Sequence, residues 1–444
     1  MKGTAEVRRA MRWGVRHGLI ARAVQKKLQT GDLGVRLMAD PVAIADPFPH
    51  YDALRAQGRL VDNGLVLNTA HHDLATAVLR SADFGVVEAP SGPAPAPLRL
   101  AVRAAGRGPL GPVEPPSMLA VDPPDHTRYR KLVTRAFSAR VVAALRSRTE
   151  EIATELLDTM AARAGTDGGR ADLIDDYASL LPATVIAEML GAPVEMRRQF
   201  LDWGAGAALS LDAGLTYRDF RRSERDLESL HRWMLGHFAH IRRNPGDNIL
   251  SALVHAHDEE GRLTEDELSS IAMLLLAAGF ETTVNLIGNG AALLTAHPEQ
   301  LELLRAEPSH WPGAVDEVLR YDSPVQRTGR VAQRDTEVAG ERVRRGRVVV
   351  TLLGGANRDP AVFTDPHRFD VTRENAGSHV AFSSGIHYCL GAGLAKMEGE
   401  VGLRALFDRF PALTPAAPPH RRPTRVLRGY DAMPVRLSPA TVDA

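Results

Sequence analysis

The sequence predicts a mainly α-helical protein with a small β region, and three observations support this prediction. Residues 139–256 show a succession of helical periodicities joined by short polar connections, with few strand signals. A capping box at residues 264–267 predicts the start of one long helix that continues to about Ala296. Short strands are predicted around residues 330–338 and 347–353, and a strand or hairpin with a turn at Asn63-Gly64 is predicted at Arg59–Leu67. The basic tail, with Arg421, Arg422, Arg425 and Arg428, is interpreted as a solvated strand region.

Composition limits the classes of function. The chain has 444 residues, of which 44% are apolar, so it can bury a large core. Lys+Arg and Asp+Glu balance at 54 each, which favours neither nucleic acid nor a general affinity for membranes. The single cysteine excludes an intrachain disulfide and is typical of a reducing cytoplasm, where we expect the protein to be. No apolar run approaches the ~18 residues of a spanning helix, so no transmembrane segment is expected.

The first 38 residues form a basic extension ahead of one large domain at 39–444. Nine lysines and arginines there face only two acidic residues, and apolar residues recur near helical spacing. A basic amphipathic helix can lie on an anionic membrane surface. The alternative is an extra helix packed on its own domain or a loose terminus, and we favour this alternative over membrane binding.

Cys389 lies in a loop from Phe382 to Gly391, directly before a predicted helix. Unpaired backbone N–H groups and the helix dipole are expected to favour its thiolate. Gly385 and Gly391 are expected to permit a tight loop and a close approach of the backbone to a flat group. One thiolate in such a loop suggests the axial ligand of a haem iron. The alternatives are a small buried apolar residue and a nucleophilic pair with His387; zinc would need about four ligands, of which the loop offers two.

The stretch at 86–124 is rich in proline and glycine, and we interpret it as an irregular connection that forms part of a substrate pocket. A domain boundary is the other interpretation. A helix then follows, with Asp125 as its expected N-cap. His126 and Arg130 are four residues apart and share one face of this helix, which suits a pair of carboxylates such as haem propionates. A solvated basic face is the alternative.

The middle of the long helix contains residues that disfavour a helix interior. Thr282 and Thr283 can donate hydrogen bonds to the carbonyls of Ala278 and Gly279, which would loosen or bend the helix there. A groove beside Gly279 would leave room for a small ligand. Glu281 next to Thr282 offers an acid and a hydroxyl for relaying protons. The alternative is a buried helix with incidental polar residues; the concentration of these residues at one place favours function.

Together these motifs resemble the cytochromes P450 of the soluble bacterial type, over roughly residues 40–440. The cysteine loop resembles the haem-binding signature of that family, and the mid-helix motif resembles its oxygen-activation motif. Glu317 and Arg320 are similar to its Glu-x-x-Arg pair, for which Arg368 would be the usual third member. The chain departs from the family at Ser383, where many members have glycine.

The resemblance implies one large haem-thiolate domain with a long central helix across the haem, which would be heme b. Cys389 would be the proximal thiolate and metal ligand. Glu281 and Thr282 would deliver protons during O2 activation. The propionates would be held by His126, Arg130, Arg330 and His387. Further contacts to the cofactor would come from Phe382, Gly385, Gly391, Ala278 and Gly279.

The function implied is a monooxygenase that inserts one oxygen atom from O2 into a small hydrophobic substrate. Electrons would come from NAD(P)H through a separate ferredoxin and ferredoxin reductase. The pocket would be lined near residues 274–278, 325–328 and 430–433. We expect basic residues to steer an acidic partner, namely Arg128, Lys131, Arg135 and Lys396. A peroxygenase that uses H2O2 and a non-catalytic haem sensor or carrier are the alternatives.

Overall fold

Helices form most of the structure, a computed structural model that describes residues 2–86, 96–258 and 263–437. The described residues form eighteen α-helices, which are α1 (Lys2–Trp13), α2 (Leu19–Leu28), α3 (Leu33–Ala39), α4 (Pro41–Ala45), α5 (Phe48–Gln57), α6 (His72–Arg80), α7 (Ala96–Ala105), α8 (Asp125–Val133), α9 (Ala139–Gly165), α10 (Leu180–Met189), α11 (Arg197–Leu209), α12 (Tyr217–Arg243), α13 (Ile249–Asp258), α14 (Glu265–Ala296), α15 (Pro298–Ala306), α16 (Trp311–Tyr321), α17 (Leu353–Ala356) and α18 (Ala392–Arg409).

The strands are short and form four small sheets. They are β1 (Val61–Asp62), β2 (Leu67–Thr69), β3 (Phe84–Gly85), β4 (Arg170–Asp172), β5 (Thr328–Ala332), β6 (Thr336–Val338), β7 (Glu341–Val343), β8 (Val348–Thr351), β9 (Thr414–Pro415), β10 (His420–Arg421), β11 (Tyr430–Ala432) and β12 (Pro434–Arg436). The largest sheet has the order β1-β2-β8-β5-β3. Only β2 and β8 pair in parallel in it. The predicted fold class, mainly α with a small β region, is confirmed.

Helix α14 passes through the main core. It begins at the predicted capping box, in which Thr264 and Glu267 each bond the other's backbone N–H, and it ends at Ala296 as predicted. It packs against α10, α11 and α18, which belong to the same large apolar cluster. Among the described residues, α14 alone is long and apolar enough to cross a membrane, but 78% of its most apolar window is buried inside the protein. It is therefore a core helix.

The basic N-terminal helix packs on the rest of the chain through its charged residues. Arg12 donates to both carboxylate oxygens of Glu224 on α12 at 2.7 Å, and Arg9 donates to the same carboxylate at 2.8 Å. Trp13 Nε1 donates to the carbonyl of Leu215 at 2.8 Å. Our preference for packing over a membrane-bound helix is thus confirmed for α1, while a boundary at residue 38 stays a prediction.

The prediction of an irregular connection at 86–124 is wrong in part. Residues 87–95 lie outside the described residues, but Ala96–Ala105 is a helix, α7. It packs against α1, and Arg12 Nη1 donates to the carbonyl of Ala105 at 3.1 Å. The residues around α7 do not by themselves indicate this helix, because the contact that holds it comes from a segment far away in the sequence. The next helix starts at Asp125 itself, without the capping bond that we expected from its side chain.

The third member of the Glu-x-x-Arg cluster is Arg373, and the expectation for Arg368 is wrong. Arg320 donates to both oxygens of Glu317 at 2.6 and 2.8 Å, and Arg373 Nε lies 3.2 Å from the same carboxylate. The Arg368 side chain is 66% exposed. Its carbonyl instead accepts from Arg320 and Arg373. The irregular path of the chain here turns Arg373 inward.

The buried contact between α1 and α12 predicts a large loss of stability on removal of its carboxylate charge. Glu224→Gln would leave Arg12 and Arg9 without their shared carboxylate, so we expect a loss of about 3 kcal/mol in the free energy of unfolding. The control is Glu228→Gln, because Glu228 is 42% exposed and lies 3.4 Å from Arg9. Its cost should be under about 1 kcal/mol. Urea denaturation measures both; equal losses would contradict the assignment.

Candidate functional site

The cysteine loop has a defined backbone geometry that depends on Gly385. The Cys389 N–H donates to the carbonyl of Phe382 at 2.9 Å, which closes the loop. Gly385 has a φ of 71°, in the left-handed region that favours glycine. A Cβ at this position would also collide with the backbone oxygen of Leu79. The tight loop expected at Gly385 is therefore present.

Ser383 and Gly391 differ from the expectations for this loop. Ser383 has a φ of 62°, so serine adopts the left-handed conformation where many family members have glycine. Its N–H still donates to the carbonyl of Val380 at 2.9 Å, so the turn is kept. Gly391 has a φ of −88°, which any residue adopts, and a Cβ there would meet no atom within 4 Å. The backbone conformation at 391 thus does not require glycine, while a close approach of this backbone to a flat group stays a prediction.

Cys389 has an exposed face although protein surrounds most of the residue. Burial raises the pKa of the Cys389 thiol, while the N–H of Gly391 and the charge of Arg130 lower it. The N–H donor at the helix start therefore favours the thiolate as expected, but burial has the larger opposite effect on the pKa of Cys389 in the protein alone. A bound metal cation reverses this balance, since a coordinating thiol is deprotonated.

A basic cluster, formed by His126, Arg130, Arg330 and His387, lies beside the loop. The rings of His126 and His387 have their centroids 4.2 Å apart, and Arg330 is buried. Asp122 is the acidic residue near the cluster, with its Oδ1 3.8 Å from His387 Nε2. The structure thus brings together all four residues that were predicted to hold carboxylates.

The electrostatics of the basic cluster favour an additional anionic ligand. Burial and the neighbouring charges of Arg330, His126 and Arg130 lower the pKa of His387 to about 3. Burial also lowers the pKa values of His126 and Arg330. His387 Nε2 is buried without a hydrogen-bond partner. An unpaired buried donor among excess positive charge fits the two carboxylates of a haem.

The mid-helix motif of α14 presents one open face. Ala278 is exposed and Thr282, one turn on, is half-buried, whereas most of the helix is buried. The Thr282 hydroxyl donates to the carbonyl of Ala278 at 3.3 Å, as predicted. No equivalent bond from Thr283 is found in the described part of the chain. A narrow cavity, partly open to solvent, lies next to this face, lined by Leu110, Gly111, Pro112, Leu274 and Ala277 among others.

The interpretation of Gly279 as the opening of a groove is wrong. A Cβ on Gly279 would lie 2.8 Å from Cγ1 of Ile186 on α10. The missing side chain therefore allows α10 and α14 to approach closely, and the space is filled by protein. Contact of the Gly279 backbone with a cofactor stays a prediction.

Glu281 is buried and forms an ion pair with Arg422, near the C-terminus. Arg422 Nε also lies 2.9 Å from Asp431. Sequence reasoning missed Arg422, because we interpreted the arginines of this segment as solvated and nothing local links it to Glu281. The predicted proton donor is thus held by a guanidinium and is not free.

Comparison with known proteins now adds to this geometry. The family model "Cytochrome P450" matches residues 213–429. The chain is 49% identical to "Putative cytochrome P450 140" of Mycobacterium tuberculosis, over 97% of this chain and 98% of that protein. It is 46% identical to "6-deoxyerythronolide B hydroxylase" of Saccharopolyspora erythraea, over 71% of this chain and 76% of the relative.

The chain belongs to the cytochrome P450 family. Solved P450 structures agree: ligand-free CYP164A2 of Mycobacterium smegmatis matches with a TM-score of 0.80 and 33% identity, covering 91% of this chain and 99% of that one. This P450 is a haem-binding monooxygenase, and the relatives named here are bacterial. The predicted family, fold, enzyme class and cofactor are confirmed.

Proposed function

We propose that Cys389 would ligate the haem iron and that the basic cluster would hold the two propionates. The observation that carries this proposal is the buried, unpaired Nε2 of His387, in a basic cluster beside the cysteine loop. Haem ligated by thiolate supplies the O2 chemistry, because the thiolate pushes electron density toward O–O cleavage. His126, Arg130 and Arg330 neutralise the propionates and fix the orientation of the macrocycle.

Proton delivery is the work of Thr282 and Glu281 in this proposal. The Thr282 hydroxyl lies on the open face of α14, so it can hold a proton close to the oxygen-binding side of the haem. Glu281 follows it as the acid, and its ion pair with Arg422 fixes the position of its carboxyl group next to Thr282. Phe382, Gly385, Gly391, Ala278 and Gly279 shape the two faces of the cofactor site.

The substrate in this proposal is a small hydrophobic molecule. The cavity next to the open face of α14 is lined mainly by apolar atoms, including those of Leu227 and Leu230 on α12 and of Met273 and Leu274 on α14. The name of one relative, "Polyketide biosynthesis cytochrome P450 PksS" of Bacillus subtilis, supports a polyketide-like class, and the name "6-deoxyerythronolide B hydroxylase" supports hydroxylation as the reaction. Cytoplasmic O2 and NAD(P)H then complete the reaction.

Electrons come from a ferredoxin and its reductase in this proposal. Ile386 and Tyr388 of the cysteine loop are exposed, which offers an apolar contact for a redox protein. Lys131 and Arg135 are exposed and without an acidic partner in the described residues, so they can attract an acidic ferredoxin. Arg128 and Lys396, expected to do the same, are neutralised: Arg128 pairs with Glu267 at 2.6 Å and Lys396 with Asp316 at 2.6 Å.

The absorbance spectrum of the protein, reduced with dithionite and exposed to carbon monoxide, tests the ligation. We expect the strongly red-shifted Soret band of thiolate trans to CO, and its loss in Cys389→His while haem is retained. The control is Ser383→Ala, which changes the same loop and should keep the band. A red-shifted band that persists in Cys389→His would refute the assignment, since Cys389 is the sole cysteine.

Replacement of Thr282 tests proton delivery. Thr282→Ala removes the hydroxyl, so we expect uncoupling: hydrogen peroxide formed per NAD(P)H oxidised should rise several-fold in a reconstituted system. Thr282→Ser keeps the hydroxyl and should stay near the wild-type ratio. An unchanged peroxide yield in Thr282→Ala would argue against the role of Thr282.

Charge reversal tests the partner surface. In the double variant Lys131→Glu/Arg135→Glu, the rate of first reduction by an acidic ferredoxin at low salt should fall by about tenfold and lose most of its dependence on ionic strength. Arg342→Glu is the control, because Arg342 is 91% exposed and lies on β7, outside the cysteine loop and α8. Equal rates for all three proteins would rule this surface out.

A further inference from the structure

A recess lined by four arginines lies between the N-terminal helices and the C-terminal segment. It is narrow and partly open to solvent. The arginines are Arg327, Arg422, Arg425 and Arg428, and no acidic side chain is among the residues that line this arginine recess. Leu37 and Ile44 form part of its apolar wall.

Two of these arginines form ion pairs with carboxylates that do not line the recess. Arg428 Nε donates to Asp322 at 2.7 Å. Arg422 pairs with Asp431 at 2.9 Å and with Glu281 on α14. These carboxylates hold the two guanidinium groups in place without lining the recess.

The other two arginines, Arg327 and Arg425, have no ion-pair partner in the part of the chain that the structure describes. Arg327 donates to the carbonyl of Leu37 at 2.8 Å, and Arg425 donates to that of Ala213. The Nε atoms of both are buried without a hydrogen-bond partner. These buried donors have lost their hydrogen bonds to water and form none with the protein. Each is therefore expected to bind a ligand or an ordered water.

The acid nearest to these two arginines is already engaged. Asp212 is buried, and its carboxylate accepts from the backbone N–H groups of Arg425, at 3.1 and 3.2 Å, and of Val426, at 2.9 Å. Its charge attenuates those of Arg425 and Arg327 but leaves their Nε–H donors unpaired.

We propose that the arginine recess binds an oxyanion, the carboxylate or phosphate group of a small ligand. Guanidinium groups match the planar geometry of such groups and bind them by paired N–H donors. Ile44, which is half-buried in the lining, would contact the carbon atoms next to the charged group. Arg327 and Arg425 supply one positive charge more than Asp212 compensates, together with two unpaired Nε–H donors.

The recess connects to the candidate haem site in two places. Arg422 contributes to its lining and also holds Glu281, next to Thr282. Gln326 and Arg327, also in the lining, belong to the stretch 325–328 that we predicted to line the substrate pocket. The oxyanion therefore belongs either to a substrate whose charged end reaches this wall or to a separate small ion. Binding itself does not depend on the proposed function.

Isothermal titration of the haem-loaded full chain with inorganic phosphate tests the proposal. We expect saturable binding to the wild type at constant ionic strength, and at least tenfold weaker binding to Arg327→Gln/Arg425→Gln. Arg342→Gln, on the exposed β7, is the control and should bind as the wild type does. Absence of saturable binding to the wild type overturns the proposal without needing a variant to fold, and so does equal binding to a folded double variant.

Dodecanoate and dodecanol distinguish the two sources of the oxyanion. If dodecanoate competes with phosphate and dodecanol does not, the recess takes the carboxylate of an organic ligand. If phosphate binds and neither compound competes, the recess takes a free oxyanion. Both results support the site, and neither uses turnover, so failure of the proposed function would be seen separately, as a missing red-shifted CO band.

Discussion

The buried ion cluster of Glu317, Arg320 and Arg373 holds the irregular chain that leads to the cysteine loop. Backbone carbonyls in such a chain lack the partners that helices and strands supply. Arg320 donates to the carbonyls of Asn357 and Arg368, and Arg373 donates to that of Arg368 as well. One carboxylate balances both guanidinium groups. Loss of any member would leave a buried charge uncompensated, so the folded path depends on all three.

Further hydrogen bonds and ion pairs connect this cluster to the cysteine loop. The Asn357 side chain accepts from the N–H of Val380 at 2.7 Å and donates to Ser323 at 2.8 Å. On α16, Asp316 Oδ1 lies 3.3 Å from Nε2 of His379 and 2.6 Å from Nζ of Lys396. These bonds anchor the chain before and after the cysteine loop, so the loop can hold Ser383 in a left-handed conformation. Local strain at 383 persists because surrounding contacts determine the backbone there.

The ionisable residues of the site destabilise the folded protein when no cofactor is bound. Burial lowers the pKa values of His126, His387 and Arg330, and neighbouring positive charges lower those of the two histidines further, so the charged forms of all three are destabilised. Burial likewise raises the pKa of Cys389. An iron cation at the sulfur and two propionates at the basic cluster would reverse each of these penalties. Groups that oppose folding yet complement one cofactor are typical of a functional site.

Features that depend on neighbouring residues could be predicted from the sequence. They are the capping box and length of α14, the hairpin of β1 and β2, the glycine at 385 and the order of the motifs. These follow from hydrogen bonds and periodicities within a few residues. Three contacts became visible only in the tertiary structure: the ion pair of Arg373 with Glu317, the packing of Gly279 against Ile186 and the ion pair of Arg422 with Glu281. Each is a contact whose partner is chosen by packing and desolvation, because the chain must pair charges and fill space among residues far apart in sequence.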